Sequence, residues 1–257
     1  MIMAGDVSRV LDKNSKALGE LKVKLFADGA DMAGIQEMYA NPMIQGFTTN
    51  PTLMNKVGIT DYEAFGRQVL AAVPDRPVSL EVFADDFDEM KAQASEIATW
   101  GDNVNIKIPV TNTKGEFSGP LIKTLSEAGV SLNLTAIMTL DQVRAVTENL
   151  SEDTPAIISV FAGRIADTGI DPIPFMSECL NIISARPKAE LLWASPRELL
   201  NIFQADDIGC HIITATNDVL KKLSLVGKEL SDYSLETVQM FYDDAVAAGY
   251  KINTSKT

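Results

Sequence analysis

The stretch NVNIKIPV at residues 103–110 alternates polar and aliphatic side chains. Side chains of a β-strand point to opposite faces in turn, so Asn105 and Lys107 share one face of this strand. Ile106 and Ile108 take the other face. Strands of a parallel sheet that is covered on both sides are apolar throughout, so a lysine inside one indicates a special environment. The alternation therefore predicts that Lys107 points into the interior of a closed sheet.

Similar runs of β-branched or aliphatic residues recur on both sides of this strand, and a longer segment with helical spacing follows each run. This alternation is typical of βα units around a parallel sheet. We predict strands at residues 23–28, 46–50, 78–83, 103–110, 131–137, 156–163, 189–195 and 211–216. We predict helices at residues 31–40, 61–72, 85–100, 119–128, 140–149, 172–185, 196–205 and 217–223. Eight of each define an α/β fold, a (β/α)8 TIM barrel, and no GxGxxG loop of a doubly wound sheet is present.

The chain length fits one such domain. Its 257 residues match the roughly 250 residues of a single (β/α)8 barrel, and no Pro/Gly/Ser-rich linker divides them. We expect one domain over residues 1–257, with an N-terminal extension at 1–20 and an additional C-terminal helix at 233–250. That helix has an apolar stripe that could pack on the outside of the barrel, cap the mouth of its site or cross to another subunit. The stripe consists of Leu235, Val238, Phe241, Tyr242 and Ala245.

The composition excludes several classes of protein. With 22 Lys and Arg against 35 Asp and Glu, the net charge of −13 gives nucleic acid and anionic membrane surfaces little attraction, so we expect neither as a partner. An anionic small molecule would need local arginines. Two cysteines and one histidine do not supply a disulfide framework or a zinc site, so we expect no metal and no cofactor. Because the sequence has no long apolar run after a basic stretch, we expect a cytoplasmic protein.

Polar residues also interrupt other predicted strands close to their C-terminal ends. Strand parity puts each pair on one face of its strand, and Asp28 ends the first strand. Barrel enzymes gather their chemistry at the C-terminal ends of the strands, so we expect these residues to converge around Lys107. The pairs are Thr48 with Asn50, Ser79 with Glu81, and Asn133 with Thr135.

Lys107 would then face two carboxylates, Asp28 and Glu81. Removal from water favours the neutral amine of a lysine, which can attack a carbonyl group and form a Schiff base. The protonated imine lets a neighbouring C–C bond break, provided that a carboxylate removes a hydroxyl proton and a second group moves protons during carbinolamine formation. A buried ion pair without chemistry is also possible. Such a pair would not require polar residues on the other strands at the same depth.

Several stretches, in the same order along nearly the whole chain, resemble the transaldolase family. GFTTNP and NIKIPV are the most specific of them. The stretches are FADGAD (26–31), GFTTNPTL (46–53), SLEVF (79–83), NIKIPV (105–110), LNLTAI (132–137), SVFAGRIAD (159–167) and WASPREL (193–199). The resemblance implies class I aldolase chemistry that does not use a metal.

The resemblance also implies roles for individual residues. Lys107 matches the Schiff-base lysine, and Asp28 matches the acid/base that deprotonates a hydroxyl of the donor. Glu81 matches a carboxylate that acts through a water held by Thr135. The substrate-binding candidates are Asn50, Asn133 and Ser159 for the dihydroxyacetone fragment, Arg164, Ser195 and Arg197 for a phosphate, and in addition Thr48 and Phe161.

The segment around Ser195 leads to three further expectations. Arg197 is predicted to lie second in a helix opened by Pro196, where the helix N-terminus would favour an anion. Trp193 shares the parity of Ser195, so it either lines the cavity or packs as a core aromatic. His211, at the start of the eighth strand, is expected to be structural.

Family members differ in what they do with the three-carbon unit. Transaldolases move it from fructose 6-phosphate or sedoheptulose 7-phosphate to an aldose phosphate, whereas the shorter fructose 6-phosphate aldolases release it. Glu81 and Phe161 stand where those aldolases have Gln and Tyr, so transfer is favoured. The Ala27-Asp28-Gly29-Ala30 and Ser159-Val160 stretches depart from the usual pattern, which leaves open a relative that acts on an unusual, for example sulfonated, ketose.

The sequence is also compatible with two further functions. One is that of a lysine-dependent aldolase that acts on a keto-acid, and the second is that of a barrel that binds a sugar phosphate without catalysis. The partners we expect are small-molecule sugar phosphates and further copies of the chain in a homo-oligomer.

Overall fold

The computed structural model describes residues 18–254. Within them lie eight β-strands, eleven α-helices and two short 3₁₀ helices, Leu18–Glu20 and Lys221–Leu225. The strands are β1 (Lys24–Asp28), β2 (Ile44–Thr48), β3 (Val78–Glu81), β4 (Val104–Pro109), β5 (Leu132–Ile137), β6 (Ala156–Val160), β7 (Ala189–Trp193) and β8 (Ile212–Thr216). The helices are α1 (Met32–Tyr39), α2 (Pro51–Lys56), α3 (Tyr62–Ala72), α4 (Phe87–Ile97), α5 (Gly119–Glu127), α6 (Leu140–Asn149), α7 (Ala162–Asp167), α8 (Pro172–Ile183), α9 (Leu200–Asp207), α10 (Asn217–Leu220) and α11 (Leu230–Ala247).

The eight strands form one closed parallel barrel in sequence order, in which β1 pairs with both β2 and β8. This topology confirms the predicted (β/α)8 TIM barrel, and each predicted strand is present. Glu81 lies opposite Lys107, and Lys107 lies opposite Asn133. Because strands in register turn the same parity inward, these three side chains face the interior together.

Side-chain caps explain why several helices begin where the sequence predicts. Asp31, Asp61 and Asp86 each accept a hydrogen bond from a backbone N–H in the first turn of α1, α3 and α4, which is the usual role of an N-cap carboxylate. Thr139 and Gln142 form a capping box at the start of α6. These local contacts fix the helix starts that surround the barrel.

The structure differs from the sequence-based expectation around the helix predicted at residues 196–205. This helix is α9, and it begins only at Leu200. The side chain of Asn201 accepts hydrogen bonds from the backbone N–H groups of Arg197 and Glu198, which holds both in a loop before the helix. The prediction that Arg197 lies second in a helix is therefore wrong. The short helices α2 and α7, which follow β2 and β6 directly, are not predicted either.

Trp193 packs on the outside of the sheet. In the pairing of β6 with β7, Ser159 lies opposite Leu192 and Val160 opposite Trp193. Since Ser159 points inward, Leu192 points inward as well and Trp193 points toward the surrounding helices. Trp193 is fully buried there. Of the two alternatives left open for Trp193, the structure therefore supports the core aromatic.

A cluster of apolar side chains supports the barrel from the inside. It consists of Phe26, Ile157, Leu192, Ala194 and Ile212, with Phe161 packed against it. Gly46 makes room for the largest of these, because a Cβ at Gly46 would lie 2.4 Å from Cζ of the Phe26 ring. Any larger residue would force the phenyl ring to move.

The described residues divide into two compact units. One is the barrel, Glu20–Lys222. The described part of the other comprises residues 18–19 and 223–254 and contains α11. The one-domain organisation stays a prediction, and almost all of the predicted N-terminal extension lies outside the described residues.

The helix α11 confirms the additional C-terminal helix. Four members of its predicted stripe, Leu235, Val238, Phe241 and Tyr242, are between 61% and 68% exposed. Among residues 18–254, no helix combines the length and the apolar character that a bilayer span requires.

Candidate active site

Lys107 occupies the interior of the barrel near the C-terminal end of β4 and is 7% exposed. Its Nζ lies 3.0 Å from Oε2 of Glu81 on the neighbouring strand and donates a hydrogen bond of 2.8 Å to the backbone carbonyl of Thr49. The hydroxyl of Tyr62 donates to the backbone carbonyl of Glu81 at 2.7 Å. The amine is therefore held at one place between β2 and β3.

Asp28 provides a second carboxyl group at the end of β1. Burial raises the pKa of this carboxyl above its ordinary value, and the negative charge of Glu81 acts in the same direction. The positive charge of Lys107 and a hydrogen bond from Thr48 lower the pKa but do not outweigh burial. The hydroxyl of Thr48 lies 2.8 Å from Oδ1 of Asp28. Such a carboxyl group is suited to exchange protons at a pH closer to neutrality.

The Thr48 hydroxyl has a second neighbour that the sequence analysis missed. It lies 2.6 Å from the hydroxyl of Thr214 on β8, and both groups are buried. Thr214 has the same strand parity as Thr216, so the alternation that identified the other polar residues could have found it. This contact ties β8 to the side chain that orients Asp28.

Asn133 connects three strands through hydrogen bonds at both ends of its amide. Its Nδ2 donates to the hydroxyl of Ser79 at 2.9 Å, and its Oδ1 accepts from the hydroxyl of Ser159 at 2.6 Å. All three side chains are buried. Ser79 and Asn133, two residues of the predicted set, are therefore in contact, and the hydrogen bonds with Ser79 and Ser159 determine the orientation of the amide.

Thr135 lies two positions beyond Asn133, where the pairing of β5 with β6 is interrupted between Leu134 and Ile137. The next residue, Ala136, has a φ of 62°, a value that non-glycine residues adopt infrequently. Irregularities of this kind redirect a side chain at a strand end. Thr135 is buried at this irregular strand end.

Asn50 does not share the strand of Thr48, because β2 ends at Thr48. Instead it is the N-cap of α2, where its Oδ1 accepts a hydrogen bond from the backbone N–H of Leu53 at 3.0 Å. The carbonyl of the preceding Thr49 contacts Lys107, so the turn that contains Asn50 still lies beside the amine. The placement of Asn50 on a strand face by parity is wrong, and capping is the physical reason.

The residues expected to bind phosphate lie at the ends of β6 and β7. The guanidinium carbon of Arg164 lies 5.1 Å from the centroid of the Phe161 ring, an arrangement typical of a cation–π contact. Arg197 forms an ion pair with Asp167. Ser195 has a φ of 59°. No local sequence pattern indicates Asp167, because its contact with Arg197 joins residues far apart in the chain.

In the part of the chain that the structure describes, no three His, Cys, Asp or Glu side chains are grouped as ligands for a metal ion. The polar groups around Lys107 are instead two carboxylates, an amide and hydroxyls. This set can hold a polyhydroxylated carbonyl compound through hydrogen bonds and move protons near the amine.

The fold and the site together define a (β/α)8 barrel with a lysine-centred polar site at the C-terminal ends of its strands. The family described as Transaldolase/Fructose-6-phosphate aldolase has a sequence profile that matches residues 25–255. The chain belongs to this family, and membership supports an enzyme of the transaldolase or aldolase type.

Relatives named "Probable transaldolase" have similar sequences. The protein of Dehalococcoides mccartyi is 34% identical over 78% of this chain and 90% of its own length. The protein of Methanococcus maripaludis is 32% identical over 78% of this chain and 89% of its own length. Among solved structures, KGPDC from Streptococcus mutans superposes with a TM-score of 0.53 at 11% identity, over 77% of this chain and 90% of that one. This last similarity concerns the fold alone.

Proposed function

We propose that this protein is a transaldolase that moves a dihydroxyacetone unit from a ketose phosphate, fructose 6-phosphate or sedoheptulose 7-phosphate, to an aldose phosphate through a Schiff base on Lys107. The observation that carries the proposal is the setting of the Lys107 amine. It is buried, lies 3.0 Å from the Glu81 carboxylate, and is close enough to Asp28 to influence its pKa. Family membership supports the same reaction type.

The first half of the reaction forms the imine. Glu81 takes a proton from the Lys107 ammonium, and the neutral amine attacks the C2 carbonyl carbon of the ketose to give a carbinolamine. The carbinolamine oxygen is then protonated and leaves as water. We assign this proton transfer to Glu81, whose carboxylate lies 3.0 Å from the amine, acting through a water that the hydroxyl of Thr135 would hold. Thr135 is buried on the strand next to that of Lys107.

The second half cleaves the C3–C4 bond. The Asp28 carboxylate removes the proton from the C4 hydroxyl, C4 becomes the aldehyde carbon of the departing aldose phosphate, and the bonding electrons pass into the imine to give an enamine. Attack of this enamine on the aldehyde of an acceptor reverses the steps and gives the new ketose. The raised pKa of Asp28 suits a group that must first accept and later return a proton.

The hydroxyl groups of the three-carbon unit need fixed partners while it remains on the enzyme. Asn133 and Ser159 lie on the two strands that follow Lys107 and are linked to each other at 2.6 Å. Asn50 presents an amide from the turn beside the amine, and Thr48 orients Asp28. We propose that these residues bind the dihydroxyacetone unit.

Arg164, Arg197 and Ser195 are the proposed phosphate site, with Phe161 stacked on Arg164. The chain has a net charge of −13, so an anionic substrate requires a local concentration of positive charge. These residues sit on the segments that follow β6 and β7, at the same end of the barrel as Lys107.

Borohydride trapping tests the proposal directly. Incubation with fructose 6-phosphate, reduction, and peptide mapping by mass spectrometry should place a reduced three-carbon adduct on Lys107. Lys24 provides a matched control, because it too is a lysine paired with a glutamate, at 2.7 Å, inside the same barrel. Absence of an adduct from the folded protein with every ketose of a panel would leave a non-catalytic sugar-phosphate binder as the better interpretation.

The second candidate is an aldolase that releases the unit, or a relative specialised for an unusual ketose such as a sulfonated one. Dependence of product formation on an added aldose phosphate distinguishes transfer from release, and the donor panel should include a sulfonated ketose. The proposed homo-oligomer is tested on the same preparation by sedimentation velocity.

A further inference from the structure

Asp167 is an acidic residue within the cationic part of the proposed site. It ends α7, three positions after Arg164, and its Oδ1 accepts a hydrogen bond of 2.8 Å from Nε of Arg197. Its Oδ2 accepts a second hydrogen bond from Nη2 of the same residue. These hydrogen bonds lower the pKa of the Asp167 carboxyl, and the positive charges of Arg197 and Arg164 lower it further. Asp167 is therefore ionised at neutral pH and interacts with both arginines.

The double contact occupies one edge of the Arg197 guanidinium. A guanidinium has five N–H donors in a rigid planar fork. Asp167 takes the donor on Nε and one of those on Nη2, so the donors on Nη1 and the second donor on Nη2 form the free edge. Asp167 thereby determines the plane in which Arg197 can donate to an anion.

The backbone on both sides of this pair is in direct contact. The N–H of Gly163 in α7 donates to the carbonyl of Ala194 at 3.2 Å. A Cβ at Gly163 would lie 1.5 Å from the carbonyl oxygen of Ser195, so only glycine permits this approach. The φ of 59° at Ser195 belongs to the same close contact. The separation of Asp167 from Arg197 is thus set by packed main chain and not by two mobile side chains alone.

We propose that Asp167 is a positioning residue for the anionic end of the substrate. It holds Arg197 so that the free edge of the guanidinium, together with Arg164, receives the phosphate group of the ketose. This inference rests on the proposed function, in which the two arginines bind that phosphate.

Two consequences of Asp167 oppose each other. Its negative charge weakens the attraction for an anion, whereas its hydrogen bonds restrict the long Arg197 side chain to one orientation. The side chains of Arg197 and Asp167 are 47% and 52% exposed, so solvent and salt screen the effect of the charge. The orientation that Asp167 imposes on Arg197 therefore outweighs the repulsion between its charge and the anion. Loss of Asp167 weakens phosphate binding.

The test compares phosphorylated and unphosphorylated donors in the Asp167→Asn variant. Its KM for fructose 6-phosphate should rise about tenfold, as for the loss of one charge-assisted hydrogen bond. Its kcat at saturation and its KM for fructose should stay unchanged. The inhibition constant of inorganic phosphate should rise by the same factor, and Asp167→Glu, which retains the carboxylate, should recover part of the loss.

Asp141→Asn is the matched control. Asp141 pairs with Arg144 at 2.7 Å on the exposed face of α6, so this variant removes a similar ion pair without touching the proposed site. All constants should equal those of the wild type. Thermal unfolding of both variants checks that each one folds.

Equal or lower KM and inhibition constants in Asp167→Asn would overturn the positioning role while leaving the proposed function intact. If the wild type forms no Schiff base at all, the proposed function fails instead. Calorimetric titration with inorganic phosphate still decides the role of Asp167 in that case. About tenfold weaker binding by Asp167→Asn would support it, and equal or undetectable binding by both proteins would overturn it.

Discussion

The barrel contains two lysine–glutamate pairs, one near each end, and they differ in exposure and in their surroundings. Lys107 lies 3.0 Å from Glu81 near the C-terminal ends of the strands, with side-chain exposures of 8% and 18%. Lys24 lies 2.7 Å from Glu190 near the N-terminal ends, with exposures of 43% and 35%. The more exposed pair is the closer one, so distance alone does not identify a reactive lysine.

The surroundings of the two pairs explain why we propose chemistry at Lys107 and not at Lys24. Near Lys107 stand a second carboxyl group, Asp28, and a backbone carbonyl that accepts from the amine. Near Lys24 lies His211, whose Nδ1 accepts a hydrogen bond from the backbone N–H of Leu191 at 3.0 Å. That bond gives His211 the structural role expected for it. An exposed pair beside a bonded neutral imidazole has little reason to carry chemistry.

Replacement of the two lysines gives the largest expected contrast. Lys107→Met should lower kcat by more than about 10⁴-fold, because it removes the nucleophile and with it the whole covalent route. Lys24→Met should change kcat less than about twofold, because the pair it disrupts is solvated. Steady-state rates with fructose 6-phosphate and an aldose phosphate acceptor measure both. Comparable losses of kcat in the two variants would contradict the assignment of the chemistry to the Lys107 end of the barrel.

Asp28→Asn should lower kcat by about 10²- to 10⁴-fold, the usual contribution of a general acid or base. The wild-type rate should fall as the pH decreases through the raised pKa of Asp28, because the base becomes protonated. The variant should lose this acidic limb. A pH–rate profile of the variant with the same acidic limb would assign the titration to another group.

The smallest expected effect concerns stability. The pKa of Asp28 is raised in the folded protein. Ionisation of Asp28 therefore lowers the free energy of unfolding as the pH rises through this raised pKa. Asp28→Asn should therefore unfold at a higher temperature than the wild type near pH 7, by about 2–4 °C for each kcal/mol recovered. The gain should vanish below about pH 4, where aspartate is protonated in both states.

Glu190→Gln is the control for this stability measurement at the opposite end of the barrel. It removes one partner of a partly exposed pair, so it should change the free energy of unfolding by less than about 1 kcal/mol at either pH. Destabilisation by Asp28→Asn at pH 7 would mean that the attraction of Asp28 to Lys107 outweighs burial.

Strand parity predicted the inward direction of Lys107, Glu81 and Asn133, because a regular strand repeats every two residues. The prediction was wrong where a strand had already ended. Asn50 caps a helix. The helix expected to open at Pro196 was a separate error, because Arg197 lies in a loop held by Asn201. For Trp193 strand parity left two alternatives open, because Ser195, the residue with which it was grouped, lies beyond the end of β7.

Contacts between distant segments were beyond the reach of the sequence. Asp167 lies thirty residues before Arg197, and no local pattern joins the two. The close approach of Gly163 to Ser195 likewise depends on the relative positions of the segments that follow β6 and β7. Sequence periodicity thus locates the residues around Lys107 more readily than the residues proposed to bind the phosphate.

The hydrogen-bonded chain from Ser79 through Asn133 to Ser159 restricts which residues of the site can be substituted without disturbing the barrel. Asn133 and Ser159, which are proposed to bind the three-carbon unit, also take part in the hydrogen bonds that link β3, β5 and β6. A substitution at either residue would therefore disturb the barrel. The residues proposed to bind the anion lie on a short helix and a loop beyond the strands. If the proposed roles hold, a change in these segments would alter the preference for the anionic group of the substrate and leave the residues around Lys107 in place.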